Sequence, residues 1–216
     1  MRVTVVPVTP FQQNCSIVVD EASGRAAIVD PGGDLERVMA ALDATSATLE
    51  RILLTHGHLD HCSGAGALRE RTGVPIEGPQ RADAFWIAQL PQATAGHGFP
   101  PTEAFEPDRW LEDGDVVTIG EATLEVRHCP GHTPGHVVFF SQDARFAIVG
   151  DVLFAGSIGR TDLPRGDHAT LVESITSKLW PLGDDVTFLP GHGPASTFGD
   201  ERRTNPFVSD RALGRG

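Results

Sequence analysis

The sequence predicts one mixed α/β domain in which strands and helices alternate through two broadly similar halves. Three observations favour this class. Short apolar strand patterns recur along the chain, amphipathic helical patterns separate them, and no linker or low-complexity segment divides the 216 residues. A chain of this length buries roughly 70 to 75% of the surface of its unfolded state, which is enough for one sizeable core.

The first half is predicted to contain four strands and an amphipathic helix. Asp34 is the expected N-cap of this helix, and the small residues at 63–67 are expected to continue as another helix. The strands are expected at residues 2–8, 15–19, 26–29 and 51–54, and the apolar stripe of the helix at Leu35, Val38, Met39 and Leu42.

The second half repeats this alternation less regularly. We expect a helix at 80–90, a loop rich in proline and glycine at 91–107, and a later helix that Asp167 caps. The apolar face of that later helix is expected at Val172, Ile175 and Leu179, and five strands at residues 116–119, 122–127, 136–140, 146–149 and 186–189.

Charge and cysteine content exclude several classes of protein. The chain has 17 basic and 29 acidic side chains, a formal net charge of −12, so it lacks the basic footprint of a nucleic-acid or anionic-membrane binder. No apolar run approaches the roughly 20 residues that span a bilayer, and the first residues do not read as a signal peptide. Three cysteines without CxxC spacing argue against a disulfide scaffold, so we expect a cytoplasmic protein.

The most informative segment directly follows the apolar strand at 51–54. His56, His58, Asp60 and His61 lie within six residues in an H-x-H-x-D-H pattern. At the end of a strand, such neighbouring side chains can splay to two sides of a loop. Imidazole and carboxylate groups are ligands that borderline cations such as Zn²⁺ accept, so the segment predicts a metal site.

Three further candidate ligands occur downstream in a shared context. His132, Asp151 and His192 each lie at the end of an apolar strand and directly after a glycine. If these strands belong to one sheet sandwich, their ends bring all seven side chains to one rim. The glycines would then leave room for close approach of the backbone to the metals.

Motifs along almost the whole chain resemble the metallo-β-lactamase superfamily and, within it, the short bacterial form of glyoxalase II, the hydroxyacylglutathione hydrolases. The resemblance implies a four-layer αββα sandwich that occupies residues 1–216, with a short C-terminal tail in place of a helical glutathione-binding domain. It also implies a role in methylglyoxal detoxification. The motifs are Pro10-Phe11-Gln12-Gln13-Asn14-Cys15, Val29-Asp30-Pro31-Gly32-Gly33, Gly131-His132-Thr133-Pro134-Gly135-His136, Gly150-Asp151-Val152-Leu153-Phe154 and Phe188-Leu189-Pro190-Gly191-His192-Gly193.

The resemblance also implies how the ligands divide between two divalent metal ions, for which we expect zinc, with iron and manganese as alternatives. A hydroxide shared by the metals is the expected nucleophile, with Asp60 and Asp151 as the catalytic carboxylates. The implied ligands are His56, His58 and His132 for the first metal and Asp60, His61 and His192 for the second, with Asp151 bridging both.

A thiolate is the leaving group that needs the fewest catalytic side chains. Because its conjugate thiol has a pKa near 8.5, it can depart without a side chain that protonates it. A thioester is therefore the expected substrate, and the resemblance implies that its thiol is glutathione. Lactonases of the superfamily commonly place a Tyr near the metals and this chain has no Tyr. Class B β-lactamases commonly carry Cys where Asp151 stands, and the net charge disfavours the nuclease branch.

The resemblance implies that Arg160 contacts the glutathione carboxylate, and a surface ion pair with Asp162 is the alternative. Two departures from the glyoxalase II pattern leave the substrate open: Asp162 replaces an expected aromatic residue, and only 24 residues follow His192. A mononuclear iron persulfide dioxygenase, another hydrolase of this fold and a metal-stabilised binding module remain alternatives. The oligomeric state stays open.

The other polar residues are expected to have supporting or structural roles. Asp30 is a candidate partner of a metal-bound imidazole. Buried, inert thiols are expected at Cys62 and Cys129, and structural or exposed roles at His97, His128, His136 and His168.

Overall fold

A computed structural model describes residues 1–215 of the protein. The first sheet has the strand order β1-β2-β3-β4-β5, and its strands pair antiparallel from β1 to β3 and parallel from β3 to β5. Its strands are β1 (Arg2–Val8), β2 (Gln13–Asp20), β3 (Arg25–Val29), β4 (Thr48–Leu53) and β5 (Ile76–Glu77).

The second sheet has the order β13-β12-β9-β8-β7-β6, in which only β9 and β12 pair parallel. A separate two-stranded hairpin, β10 (Leu153–Phe154) and β11 (Ser157–Ile158), follows β9. The strands of the sheet are β6 (Val116–Ile119), β7 (Ala122–His128), β8 (Val137–Ser141), β9 (Phe146–Gly150), β12 (Thr187–Pro190) and β13 (Ser196–Thr197).

Seven α-helices occur within residues 1–215. They are α1 (Leu35–Thr45), α2 (Leu59–Cys62), α3 (Ala65–Thr72), α4 (Ala84–Ala88), α5 (Leu90–His97), α6 (His168–Ser174) and α7 (Phe198–Thr204). Short 3₁₀ turns at Arg81–Asp83 and Trp180–Leu182 and a π-helical turn at Ile175–Leu179 extend them. In this part of the chain, no helix is both long and apolar enough to cross a bilayer.

Three apolar cores separate four layers, αββα, as the resemblance implies. Alternation along each strand builds them, because successive side chains of a strand point to opposite faces of its sheet. Ile17 packs into the core under the helices of the first sheet, while its neighbour Val18 packs between the sheets. In the second sheet, Phe139 faces the first sheet and Phe140 faces the helical layer that contains Leu171.

Three local expectations were wrong in part. Asp34 does precede α1, but its side chain makes no cap and instead accepts a hydrogen bond from the Thr9 N–H at 2.8 Å. The segment at 91–107 is not entirely a loop, because α5 extends from Leu90 to His97. Pro91 fits the first turn of α5, where the N–H that proline lacks would have no intrahelical acceptor.

The predicted helix at 80–90 is broken into the 3₁₀ turn Arg81–Asp83, α4 and the start of α5. The sequence patterns did not indicate the shortest strands or the last helix. These unpredicted elements are β5, β10, β11, β13 and α7.

Candidate metal centre

Four chain segments meet at one rim of the sandwich. The H-x-H-x-D-H segment follows β4 and runs into α2, and His132 lies in the connection between β7 and β8. Asp151 and His192 follow β9 and β12, which are parallel neighbours and therefore end at the same edge of their sheet. The fold thus brings together all seven side chains that the sequence suggested as ligands.

The first group of ligand atoms consists of three buried imidazoles. Nδ1 of His58 lies 3.1 Å from Nε2 of His56 and 3.0 Å from Nε2 of His132. Two nitrogens that bind one tetrahedral zinc at 2.0–2.1 Å are about 3.3 Å apart, so the three atoms have the spacing of ligands to one ion.

The second group lies beside the first and contains a carboxylate. Nε2 of His192 is 3.1 Å from Oδ2 of Asp60, and Nε2 of His61 is 3.7 Å from the same oxygen. These three side chains also have ligand atoms close enough to hold one ion.

Asp151 contacts both groups. Its Oδ1 lies 3.4 Å from Nε2 of His61, and its Oδ2 lies 3.6 Å from Nε2 of His132 and 3.7 Å from Nε2 of His192. One carboxylate therefore faces the ligand atoms of both candidate sites.

Unpaired atoms at the centre fit a bound cation. Within the described residues, Nε2 of His61 and Oδ1 of Asp151 are buried and have no hydrogen-bond partner. Buried polar atoms are rarely left unsatisfied, and such atoms call for an explanation such as an ion. Imidazole nitrogens and carboxylate oxygens without thiolates are a donor set that Zn²⁺, Fe²⁺ and Mn²⁺ all accept.

In four of the five imidazoles, Nδ1 contacts an oxygen atom that orients the ring. An Nδ1–H that donates to such an oxygen leaves the lone pair of Nε2 directed into the centre. The pairs are His56 with Thr55 Oγ1 at 3.0 Å, His61 with Asp30 Oδ2 at 2.9 Å, His132 with the Arg160 carbonyl at 2.7 Å and His192 with the Phe11 carbonyl at 3.2 Å.

The electrostatics separate the two groups. Burial and the charges of the neighbouring imidazoles hold the pKa of His56 well below its usual range, and burial and His132 lower the pKa of His58 to about 3. For His61, burial lowers the pKa, but the carboxylates of Asp151 and Asp60 outweigh it and hold this pKa well above the usual range. The imidazoles of the first group are thus held neutral, whereas carboxylates face the imidazole of His61 in the second.

Sequence reasoning missed one functional candidate and undervalued another. Asp83 is fully buried and accepts hydrogen bonds from both loops that carry the first group, although nothing in its local sequence distinguishes it. His136, expected as a structural group, stacks on His56 with ring centroids 4.6 Å apart and accepts the Asp151 N–H at 3.0 Å.

A cleft of about 850 Å³ opens onto the centre. Arg160 lies on its wall with an exposed guanidinium that forms a two-pronged ion pair with Asp162, at 2.7 and 2.8 Å. The remaining wall is largely apolar and aromatic and includes Phe11, Leu59, Trp86, Phe154, Ile158 and Leu163.

The other expected residues lie outside the ligand groups. Cys62 and Cys129 are fully buried, and burial raises the pKa of both thiols, that of Cys129 to about 12. His97 is exposed at the end of α5 and lines the cleft, while His128 bonds to the Pro134 carbonyl and His168 begins α6.

Comparison with known proteins assigns the family. The family model described as "Metallo-beta-lactamase superfamily" matches residues 8–192, which contain all seven of these side chains. The chain belongs to the metallo-β-lactamase superfamily. Within this superfamily it is 45% identical over 213 residues to the hydroxyacylglutathione hydrolase GloC of Haemophilus influenzae, a match that covers 98% of this chain and 100% of GloC.

Two solved structures of the superfamily are also similar. BLEG-1, a B3 metallo-β-lactamase, is 37% identical with a TM-score of 0.87, and the match covers 96% of this chain and 99% of BLEG-1. TTHA1623, solved in a di-iron-bound form, is 34% identical with a TM-score of 0.85, covering 95% and 100% of the two chains.

Proposed function

We propose that the protein is a binuclear metal-dependent hydrolase that cleaves a thioester, S-lactoylglutathione or a related acylglutathione, to a hydroxy acid and glutathione. The observation that carries this proposal is the position of Asp151 between two complete ligand groups. The identity of 45% to a hydroxyacylglutathione hydrolase supports the substrate class.

The proposed ligands follow the geometry. His56, His58 and His132 would hold the first metal, Asp60, His61 and His192 the second, and Asp151 would bridge both. When bound, such a metal pair supplies Lewis acidity and lowers the pKa of a bound water from 15.7 towards 7. Zinc is the proposed metal, and the di-iron form of TTHA1623 makes iron the main alternative.

The protein's own groups complete the proposed reaction. The carboxylates of Asp60 and Asp151, which line the cleft, would accept hydrogen bonds from the attacking water and so orient it towards the acyl carbon. Attack of the water oxygen, whose proton goes to solvent, forms a carbon–oxygen bond at the acyl carbon. The carbon–sulfur bond then breaks, and the thiolate departs without a protonating side chain because its conjugate acid has a pKa near 8.5.

Substrate binding is proposed for the cleft outside the metal centre. Arg160 would bind a glutathione carboxylate with two parallel hydrogen bonds. The substrate carboxylate would take the place of the Asp162 carboxylate, with which the guanidinium pairs in the free protein. The aromatic wall, including Trp86 and Phe154, would contact the acyl group and the apolar parts of the thiol carrier.

Cleavage of a β-lactam is the second candidate, because BLEG-1 is 37% identical over nearly the whole chain. A mononuclear persulfide dioxygenase is less well supported, because a single iron would leave Asp60 and His192 without a ligand role despite their 3.1 Å contact.

A substrate panel with metal counting tests these alternatives. Protein loaded separately with zinc, iron and manganese is assayed on S-lactoylglutathione, other acylglutathiones, a chromogenic β-lactam and glutathione persulfide with oxygen uptake. We expect two metals per chain by elemental analysis, thioester cleavage as the main activity and loss of that activity with a chelator. A two-metal protein that leaves every thioester intact would overturn the proposal.

The setting of the enzyme is also proposed. The three thiols are unpaired and buried, which suits the reducing cytoplasm. We propose a single catalytic domain, residues 1–216, that acts on a small-molecule substrate and uses neither nucleic acid nor membrane as a partner.

A further inference from the structure

Asp83 is a buried carboxylate that the proposed reaction does not use. It ends the 3₁₀ turn Arg81–Asp83, just before α4, and its side chain is inaccessible to solvent. Burial raises its pKa to about 6, and the hydrogen bonds that it accepts oppose this rise. Burial of a charged carboxylate is unfavourable unless hydrogen bonds compensate for it, so the contacts of Asp83 indicate its role.

Three donors from two different loops surround this carboxylate. Oδ2 accepts the N–H of Gly57 at 2.9 Å and the hydroxyl of Thr133 at 2.8 Å. Oδ1 accepts the N–H of Gly135 at 2.6 Å. Asp83 is therefore a direct link between the loop after β4 and the loop between β7 and β8.

The donors are immediate neighbours of the first ligand group. Gly57 lies between His56 and His58, and Thr133 follows His132 in the chain. All three imidazoles of that group thus come from the two loops that Asp83 joins. The second group, in contrast, has its own buried carboxylate, because Asp30 contacts His61 at 2.9 Å.

Both ligand loops pack tightly against the chain segment that contains Asp83. A Cβ on Gly57 would lie 2.8 Å from Cβ of Trp86 and 3.1 Å from the Asp83 carbonyl oxygen. A Cβ on Gly135 would lie 2.6 Å from the Asp83 nitrogen. Glycine at both positions lets the two loops approach the aspartate closely enough to share its carboxylate.

We propose that Asp83 is a positioning residue that sets the separation of the His56–His58 loop from His132 and so organises the first metal site selectively. This inference rests on the proposed binuclear site. Removal of the carboxylate would release both loops and leave three buried donors unpaired, while Asp30 still holds the second group.

Metal affinity measured site by site tests the proposal. Cobalt(II) is titrated into metal-free protein and followed by its absorption spectrum, with His132→Ala and His192→Ala as references for the second and first sites alone. In Asp83→Ala we expect the first site to lose about 10- to 100-fold in affinity and the second to change little. Asp83→Asn and Thr133→Val keep some of the contacts and should give smaller losses at the same site.

Glu77→Gln is the matched control. Glu77 is also a buried carboxylate, but its side chain pairs with Arg51 and Arg109 and not with either ligand loop. Its replacement should lower the melting temperature of the metal-free protein and leave both cobalt affinities unchanged. If Asp83→Ala weakens both sites equally, or neither, the inference is wrong. A wild-type protein that binds only one metal would instead overturn the proposed binuclear function. The cobalt titration can show this because it needs no substrate.

Discussion

Oδ2 of Asp30 lies 2.9 Å from Nδ1 of His61, and both groups are buried. The same carboxylate accepts the Thr55 N–H at 2.7 Å and its hydroxyl at 2.6 Å. Because that hydroxyl donates to Asp30, its oxygen can accept from Nδ1 of His56, which is 3.0 Å away. Asp30 therefore orients one imidazole of the second group directly and one of the first group through Thr55.

We predict that Asp30→Asn weakens both metal sites, by about 10- to 100-fold each, as measured by cobalt titration. An amide has one acceptor oxygen in place of two, so it cannot accept from His61, the Thr55 hydroxyl and the Thr55 N–H together. The backbone of Asp30 has φ 52°, a left-handed conformation that asparagine tolerates, so the loop should be retained.

Asp34→Asn is the control for this substitution. Asp34 also has a positive φ, 49°, and it also accepts a backbone N–H, but its partner Thr9 is not a ligand. Both cobalt affinities should be unchanged in this variant. Unchanged affinities in Asp30→Asn as well would refute the role of Asp30.

A second prediction concerns the carboxylate contact of Arg160. If Arg160 binds the thiol carrier, Arg160→Ala should raise KM for S-lactoylglutathione about 10-fold and leave kcat nearly unchanged, since the contact is remote from the scissile bond. Asp162→Ala removes the competing partner of the exposed guanidinium and should lower KM about 2- to 5-fold.

A thioester with an uncharged thiol carrier serves as the control substrate, and its KM should be the same in wild type and Arg160→Ala. Equal KM increases on both substrates would contradict carboxylate binding by Arg160, because the Arg160 carbonyl that contacts His132 at 2.7 Å is retained in Arg160→Ala.

The sequence predicted the ligand groups better than the residues that support them. His56 is recognisable because it begins a run of ligand-type side chains after an apolar strand. Asp151 is recognisable because it follows an apolar strand and a glycine, as His132 and His192 do. Asp83 has no such context, and its function exists only because the fold brings Gly57 and Thr133 together from positions 76 residues apart in the chain. Such long-range contacts leave no local pattern in one sequence.

The same reason explains the errors in local structure. Asp34 has the residue type and position of an N-cap, yet its side chain bonds to Thr9, which the pairing of β1 and β2 brings nearby. Tertiary contacts overrode a local preference there. In α5, the proline at position 91 suggested a loop, because proline disfavours helix interiors but not the first helical turn.

A third prediction tests the close packing at the centre. A Cβ on Gly191 would overlap the Asp151 carboxylate and lie 2.6 Å from Cε1 of His61. Gly191→Ala should therefore displace the bridging carboxylate and reduce the bound metal from two ions per chain to one or none by elemental analysis. Hydrolytic activity should fall with it.

Gly96→Ala is the matched control, because a Cβ at Gly96, in the last turns of α5, would meet nothing within 4 Å. Alanine is the better helix former, so this variant should bind two metals and gain about 0.4–1 kcal/mol in stability. A Gly191→Ala protein with both metals bound would show that the centre is more open than its geometry indicates.

The last prediction concerns acid stability. The Asp20 carboxylate accepts hydrogen bonds from Ser23 and from the Glu121 N–H, the latter at 2.9 Å, and thereby links the end of β2 to the β6–β7 turn. The Ser23 hydroxyl and then the Glu121 N–H lower the pKa of Asp20 to about 2 from 3.8. Because the folded state favours the ionised form, the stabilisation is fully present only well above the unfolded pKa of 3.8 and is lost as pH falls towards 2.

Asp20→Asn should therefore lower the free energy of unfolding by a constant amount from pH 7 to pH 5 and by less at pH 4 and pH 3. Urea unfolding of both metal-free proteins in the presence of a chelator measures this difference and removes any contribution from metal release. Ser23→Ala takes away the strongest of the donors and should give a smaller loss with the same pH dependence. A difference that grows towards low pH would contradict the assignment, because the ionised carboxylate would then not be the stabilising form.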